Sequence, residues 1–174
     1  SDNIDWRLRH AQFNAAEGVR WLGISIAALS ELQAVLVVGS NLRKDHPLFA
    51  QRIRQAAKKG GQVFALNAQV YDWAMPVSAS VVAAQDWAQA LADVAAAVAQ
   101  AKGVQAPVAA QANAEAQAIA QALLAGERKA VLLGNAAAHH AQAAELLALA
   151  NWIAEQTGAT VGYLTEAANT VGAQ

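Results

Sequence analysis

The sequence predicts a three-layer α/β/α fold built on a mostly parallel, Rossmann-like sheet. Three observations carry this expectation. Residues 34–38 form an unbroken apolar run, Ala-Val-Leu-Val-Val, which halts at Gly39-Ser40-Asn41. A stretch with helical spacing follows, and a second apolar run, residues 63–66, closes on another asparagine, Asn67. The same signals return later: Ala130-Val-Leu-Leu-Gly-Asn135 repeats the strand and its turn, one residue shorter, before a second helical stretch. Short apolar runs with no polar alternation suit strands buried on both faces, and parallel strands need intervening crossovers.

The elements follow in order. Residues 1–33 begin polar and charged, and a helical pattern over 25–32 places Ile26, Leu29 and Leu32 on one face. The first strand covers residues 34–39. Pro47 suits the first turn of the next helix, which Asp45 or His46 would cap. Phe49, Ile53 and Ala57 line that helix's inner face, while Arg52, Lys58 and Lys59 face water and Gly60 ends it. Strand 63–66 follows, then a loop over 71–76 and a short strand over 77–82. Residues 85–101 form an alanine-rich helix with Trp87, Leu91, Val94 and Val98 on one stripe. Helix 113–125 carries Ile119 and Leu123, and strand 131–133 follows a turn at 126–129. The last helix, 141–157, aligns Leu146, Leu149, Ala150, Ile153 and Thr157, and strand 160–164 follows it. Residues 1–102 form a first α/β unit with an N-terminal segment. Residues 103–112, uncharged but for Lys102 just before them, form a linker, and 113–174 a second unit packing on the same sheet. The two units read either as a duplication or as two βαβ units alike because their physics is shared. The Ala/Gln-rich span 88–125 is explained by helix propensity.

Composition excludes several functions. At 174 residues the chain can bury one substantial core or two small lobes. The net charge is −1 and charged residues make up 14 %, so no basic field exists to attract nucleic acid. There are no cysteines, which removes disulfides, thiolate zinc sites and cysteine-ligated iron–sulfur clusters. Charges, glycines and polar residues interrupt every apolar stretch, so no membrane span is expected. The only methionine is Met75, and the chain reads as a piece of a longer protein.

The candidate site lies at the strand ends. In parallel sheets ligands bind beyond the carboxyl ends of the strands, where Gly39, Ser40 and Asn41 fall. Glycine lets backbone approach a ligand, and Ser and Asn can hydrogen-bond a nucleotide or pterin; the same residues also make an ordinary strand-to-loop turn. Neither the dinucleotide fingerprint nor a phosphate loop is present. Gly134, Asn135 and His140 occupy the equivalent place in the second unit, with His140 five residues after Asn135 as His46 is after Asn41. His139 and His140 point about 100° apart on a helix and have no carboxylate at ligand spacing, so no metal is assigned. The carboxylates at 86, 93, 115, 145 and 155 fall on presumed helix surfaces, no nucleophile motif occurs, and no catalytic residue is assigned. The five tryptophans read as core or interface anchors. Residues 6–8, the 71–75 loop with Trp73, and residues 167–172 read as partner surfaces.

The strings at 35–48 and 50–60 closely resemble the molybdopterin-oxidoreductase superfamily. Within it the chain is most similar to the large G subunit of bacterial NADH–quinone oxidoreductase, respiratory complex I. Asp5-Trp-Arg-Leu-Arg9, Ala130-Val-Leu-Leu-Gly-Asn135 with His139-His140, and Glu166-Ala-Ala-Asn-Thr-Val-Gly172 extend the likeness over nearly the whole chain. The resemblance implies an internal α/β domain of that subunit's C-terminal region, with the iron–sulfur clusters of the parent subunit outside it and no cofactor of its own. In molybdenum and tungsten members, a strand-end Gly-x-Asn, often followed by Pro, helps hold a pterin guanine dinucleotide; here Leu42 stands in the proline's place. Gly39, Ser40, Asn41, Gly134, Asn135 and His140 are then vestigial cofactor-binding positions. The implied partners are other domains of the same subunit and neighbouring peripheral-arm subunits, on the cytoplasmic side of the bacterial inner membrane. Two other readings stand beside this one: a pterin-guanine-dinucleotide-binding domain of a formate-dehydrogenase-like molybdoenzyme, and a stand-alone nucleotide-binding module.

Overall fold

The computed structural model describes residues 21–165. Five strands form one all-parallel sheet: β1 (Ala34–Val38), β2 (Gln62–Asn67), β3 (Ser78–Val81), β4 (Lys129–Leu133) and β5 (Thr160–Tyr163), in the order β3-β2-β1-β4-β5. The helices are α1 (Leu42–Asp45), α2 (Pro47–Lys58), α3 (Trp87–Lys102), α4 (Ala114–Ala125), α5 (Asn135–Ala138) and α6 (Ala143–Thr157), with short 3-10 turns at Ala28–Glu31 and Ala84–Asp86. The architecture is the three-layer α/β fold that the sequence predicts. β1 is in register with both neighbours, Ala34 opposite Gln62 and Lys129, and Val38 opposite Leu66 and Leu133.

Strand alternation sorts the apolar runs into two cores. Leu36, Val38, Phe64, Leu66, Val131 and Leu133 face α3, α4 and α6. Val35, Val37, Val63, Ala65, Ala130 and Leu132 face α2 and the first 3-10 turn. The chain travels from β1 to β2 through α2 on one face, and from β4 to β5 through α6 on the other. Right-handed crossovers running in opposite directions along a sheet require this. The direction reverses between β1 and β4, and that junction is the topological switch point.

The helical stripes are buried as their spacing predicts: Trp87, Leu91, Val94 and Val98 on α3, Ile119 and Leu123 on α4, and Leu146, Ala150 and Ile153 on α6. α4 begins one residue later than read, because Asn113 is its cap: the Asn113 side chain accepts the amide of Ala116 at 2.8 Å. Residues 25–32 depart from expectation. Only Ala28–Glu31 is helical, as a single 3-10 turn, and Leu29 and Leu32 are buried while Ile26, in the turn just before it, is exposed. Neither Asp45 nor His46 caps α2 with its side chain; His46 stands at the cap position but bonds elsewhere. Lys59 does not simply face water. Its Nζ lies 2.6 Å from Glu31 Oε1 and 3.3 Å from the Ser30 carbonyl, tying the end of α2 to the 3-10 turn.

The clearest correction concerns Trp73. The parallel strands β2 and β3 are joined by residues 68–77 with no helix. Trp73 is buried in the α2-side core, with Tyr71, Met75 and Val77 packed beside it. The aromatic loop fills the place a crossover helix would take, so Trp73 is a core residue rather than a partner anchor. The other two stretches read as partner surfaces, 6–8 and 167–172, lie outside the described residues. Trp73→Ala should therefore lower the stability of the isolated chain by about 3–5 kcal/mol, measured by urea unfolding; an unchanged midpoint would return Trp73 to the surface.

The Lys59 hydrogen bond and charge hold the Glu31 carboxyl below its ordinary value of 4.5. A lowered carboxyl pKa contributes stability above its unfolded value, and that contribution is lost as pH falls through the folded one. Both groups are exposed, so the effect is small. Lys59→Met should move the Glu31 titration back up toward its ordinary value, followed by carboxyl NMR.

Candidate functional site

All six strand-end candidates lie at the carboxyl edge of the sheet, on either side of the switch point. Gly39 ends β1 with φ 64°, a left-handed turn that glycine adopts without strain. It turns the chain under a crowded roof: a β-carbon there would stand 2.6 Å from the Ala137 amide nitrogen and 2.8 Å from the Trp87 ring. Gly134 faces it from β4. A β-carbon on Gly134 would stand 2.4 Å from Cβ of Ser40 and 2.5 Å from the Gly39 carbonyl oxygen. The two strand ends are thus closed on each other with no gap between them.

Hydrogen bonds complete the closure. The Gly39 amide donates to the Leu66 carbonyl at 2.9 Å, Gly134 to Val38 at 2.8 Å, and Ala136 to Gly39 at 3.0 Å. The Ser40 amide donates to Oδ1 of the buried Asn67 at 3.0 Å. The Asn41 amide donates to Asp45 Oδ2 at 3.0 Å. A ligand phosphate would need donors of this kind, and here the chain's own carbonyls, an amide and a carboxylate take them. The Asp45 carboxylate also sets a negative charge at the end of β1, where it would repel an anion. Ser40 is the exception: its Oγ is buried with no hydrogen-bond partner among the described residues.

The two histidines do parallel work. His46 Nε2 lies 2.9 Å from the Thr165 carbonyl, beyond β5, and its ring stacks on Phe49 at 5.5 Å. His140 Nε2 lies 2.9 Å from the Ala84 carbonyl, beyond β3, while its Nδ1 accepts the Gln142 amide at 3.0 Å. A carbonyl can only accept, so both rings carry the proton on Nε2. Each histidine sews a strand exit to a distant loop; His140 has both ring nitrogens bonded, whereas the buried Nδ1 of His46 has no hydrogen-bond partner among the described residues. Trp87 stacks on His140, with centroids 5.5 Å apart, and its Nε1 donates to the Val82 carbonyl at 3.0 Å. No group of three or more metal-ligating side chains occurs among the described residues.

The molybdopterin oxidoreductase family matches residues 1–174. The chain belongs to that family. Among solved structures, it is similar to a chain of the formyltransferase/hydrolase complex (FhcABCD) from Methylorubrum extorquens in complex with methylofuran, with a TM-score of 0.56 and 17 % identity. That likeness covers 91 % of this chain and 43 % of that one, and at such identity it shows the fold alone. No curated protein matches.

In this molybdopterin oxidoreductase domain, Gly39, Ser40 and Gly134 are brought into contact, and Asn41 and Asn135 flank them half-buried. His140 sits one layer away, joined to Gly39 through Trp87. Sequence reading missed three parts of the arrangement: Asn67 as the acceptor for Ser40, Asp45 as the acceptor for Asn41, and Trp87 as the cover over Gly39. Asn67 and Asp45 stood in the right segments, but only tertiary contact shows what each meets. Gly134→Ala should destabilise the chain by about 1–3 kcal/mol, because Ser40 and the Gly39 carbonyl must both move; urea unfolding measures this. A change under about 0.5 kcal/mol, the range of a neutral surface substitution, would show that the strand ends have room to part.

Proposed function

We propose that this domain is a structural, subunit-interaction part of the large peripheral-arm subunit of an NADH–quinone oxidoreductase, without a redox centre of its own. The observation that carries this reading is the closed switch point. A pterin guanine dinucleotide would need open strand ends and free backbone donors, and the backbone amides of Gly39, Asn41 and Gly134 are already bonded within the chain. The absence of cysteine supports it further, since the chain supplies no thiolate for a cluster. The likeness of the 35–60 and 130–140 segments to the G subunit supplies the parent assembly. Its electron path from NADH to quinone would run through iron–sulfur clusters elsewhere in the subunit. The partners on this reading are the other domains of that subunit and neighbouring peripheral-arm subunits. The reading places the domain peripherally, at the cytoplasmic side of the inner membrane; no helix among the described residues is long and apolar enough to cross a membrane.

One observation favours a second reading, a cofactor-gripping domain of a formate-dehydrogenase-like molybdoenzyme: the unsatisfied Oγ of Ser40 at the family's strand end. The two readings part on the composition of the parent protein. Purified without a metal-affinity tag, it should contain iron but no molybdenum, tungsten or releasable pterin, by elemental analysis and by fluorescence of oxidised pterin. Stoichiometric molybdenum or tungsten with pterin would sink the first reading and establish the second.

A further inference from the structure

The two outer edges of the sheet are unlike. Along β5, the Tyr163 amide donates to the Trp21 carbonyl at 2.8 Å, so residues preceding the first 3-10 turn cover that edge. β3 is the other edge strand. The Val82 amide donates to Asn67 of β2 at 2.9 Å, and strand alternation therefore turns the backbone groups of Ala79 and Val81 outward. Among the described residues no backbone bond reaches them. Val81 is 52 % exposed, and β3 carries none of the charged or proline residues that usually guard an edge.

Beside this edge, on the α3/α4 face, lies a cavity of about 260 Å³. Its floor is aliphatic, with Leu36, Leu66 and Ile119. Its rim holds Asp86, Asp93 and Glu115, and no Lys, Arg or His lines it. Asp93 is occupied, accepting from Gln89, the Gln111 amide and Asn113. Asp86 stands at the start of α3 without capping it. Glu115 accepts the Ser80 hydroxyl at 2.8 Å, which places its carboxylate directly over β3.

We infer that the outer edge of β3 docks an extended, basic segment of a partner protein, which adds a sixth strand and lays a Lys or Arg side chain into the neighbouring cavity. Main-chain bonds to Ala79 and Val81 would supply the pairing. A long cationic side chain beside Ser80 would lay its aliphatic stem over β3 at the mouth of the cavity, with its charge at Glu115 and Asp86. The charge chooses the occupant. A second copy of this chain paired edge to edge would set the same carboxylates against each other with no cation between them. The inference stands on the edge and the cavity, whatever the parent assembly is.

The test is fluorescence anisotropy at low salt, with the whole chain and a labelled, end-blocked peptide of alternating Arg and Val. Binding is expected. It should weaken about tenfold or more in the Asp86→Asn/Glu115→Gln double variant, which loses both charges but keeps the acceptor for Ser80. It should vanish for the same peptide N-methylated at alternate amides, a control that leaves the protein untouched. A Glu/Val peptide should not bind. No binding of the Arg/Val peptide, binding that survives N-methylation, or equal affinity for the double variant would each overturn the inference.

Discussion

Between β1 and β4 two neighbouring parallel strands end so close together that Gly134 has no space for a β-carbon beside Ser40 and the Gly39 carbonyl, and α5 and Trp87 leave Gly39 none. Much of the carboxyl edge depends on that contact. Because the strand ends touch, the Ala136 amide can reach the Gly39 carbonyl, and α5 is drawn over the turn. Trp87 can then cover Gly39 and stack on His140, which in turn holds the loop leaving β3. A side chain at Gly134 would wedge the strand ends apart, and one at Gly39 would lift α5 and Trp87 off the turn, so either would disturb the series. The switch point, which in open α/β sheets forms a crevice, is here a packed joint.

The two faces of the sheet are built from different material. Among the described residues the α2 face is thin: one long helix, a 3-10 turn, and Trp73 in the helix-free connection between β2 and β3. The other face is thick and rich in alanine. Ala92, Ala95, Ala97 and Ala99 on α3, with Ala116, Ala120 and Ala122 on α4, are all buried. The low-complexity span is therefore more than a product of helix propensity, since its small side chains let α3 lie against both α4 and α6. The segment between α3 and α4 is anchored through Asp93, which holds the Gln111 amide and Asn113.

A scaffold role agrees with this distribution of polar groups. At the strand ends the backbone amides of Gly39, Ser40, Asn41 and Gly134, both ring nitrogens of His140 and the Asp45 carboxylate are engaged in internal bonds, which stiffen the edge. Ser40 keeps an unused hydroxyl there. The unspent capacity lies elsewhere, in the backbone of β3 and the carboxylates near it. Among the described residues, the carboxyl edge of the sheet is closed and the outer edge of β3 is unpaired.

The sequence by itself determined the fold class. Unbroken apolar runs at 34–38 and 130–133, bounded by glycine-containing turns, read as strands buried on both faces, and the stripes of α3, α4 and α6 follow from a period near 3.6 residues. It also marked the candidate site, because Gly-Ser-Asn and Gly-Asn each stand where an apolar run stops. These are local signals, set by neighbours along the chain. Tertiary structure alone decided whether the site is open. Gly39 meets Gly134 across a gap in sequence of nearly a hundred residues, and Ser40 finds Asn67 in another strand. Trp73 shows the same limit: an aromatic in a polar loop looks like a partner surface until the absence of a crossover helix leaves a hole for it to fill. Periodicity records which face of an element is buried, but what lies against that face depends on strand order, and strand order is written in contacts between residues far apart.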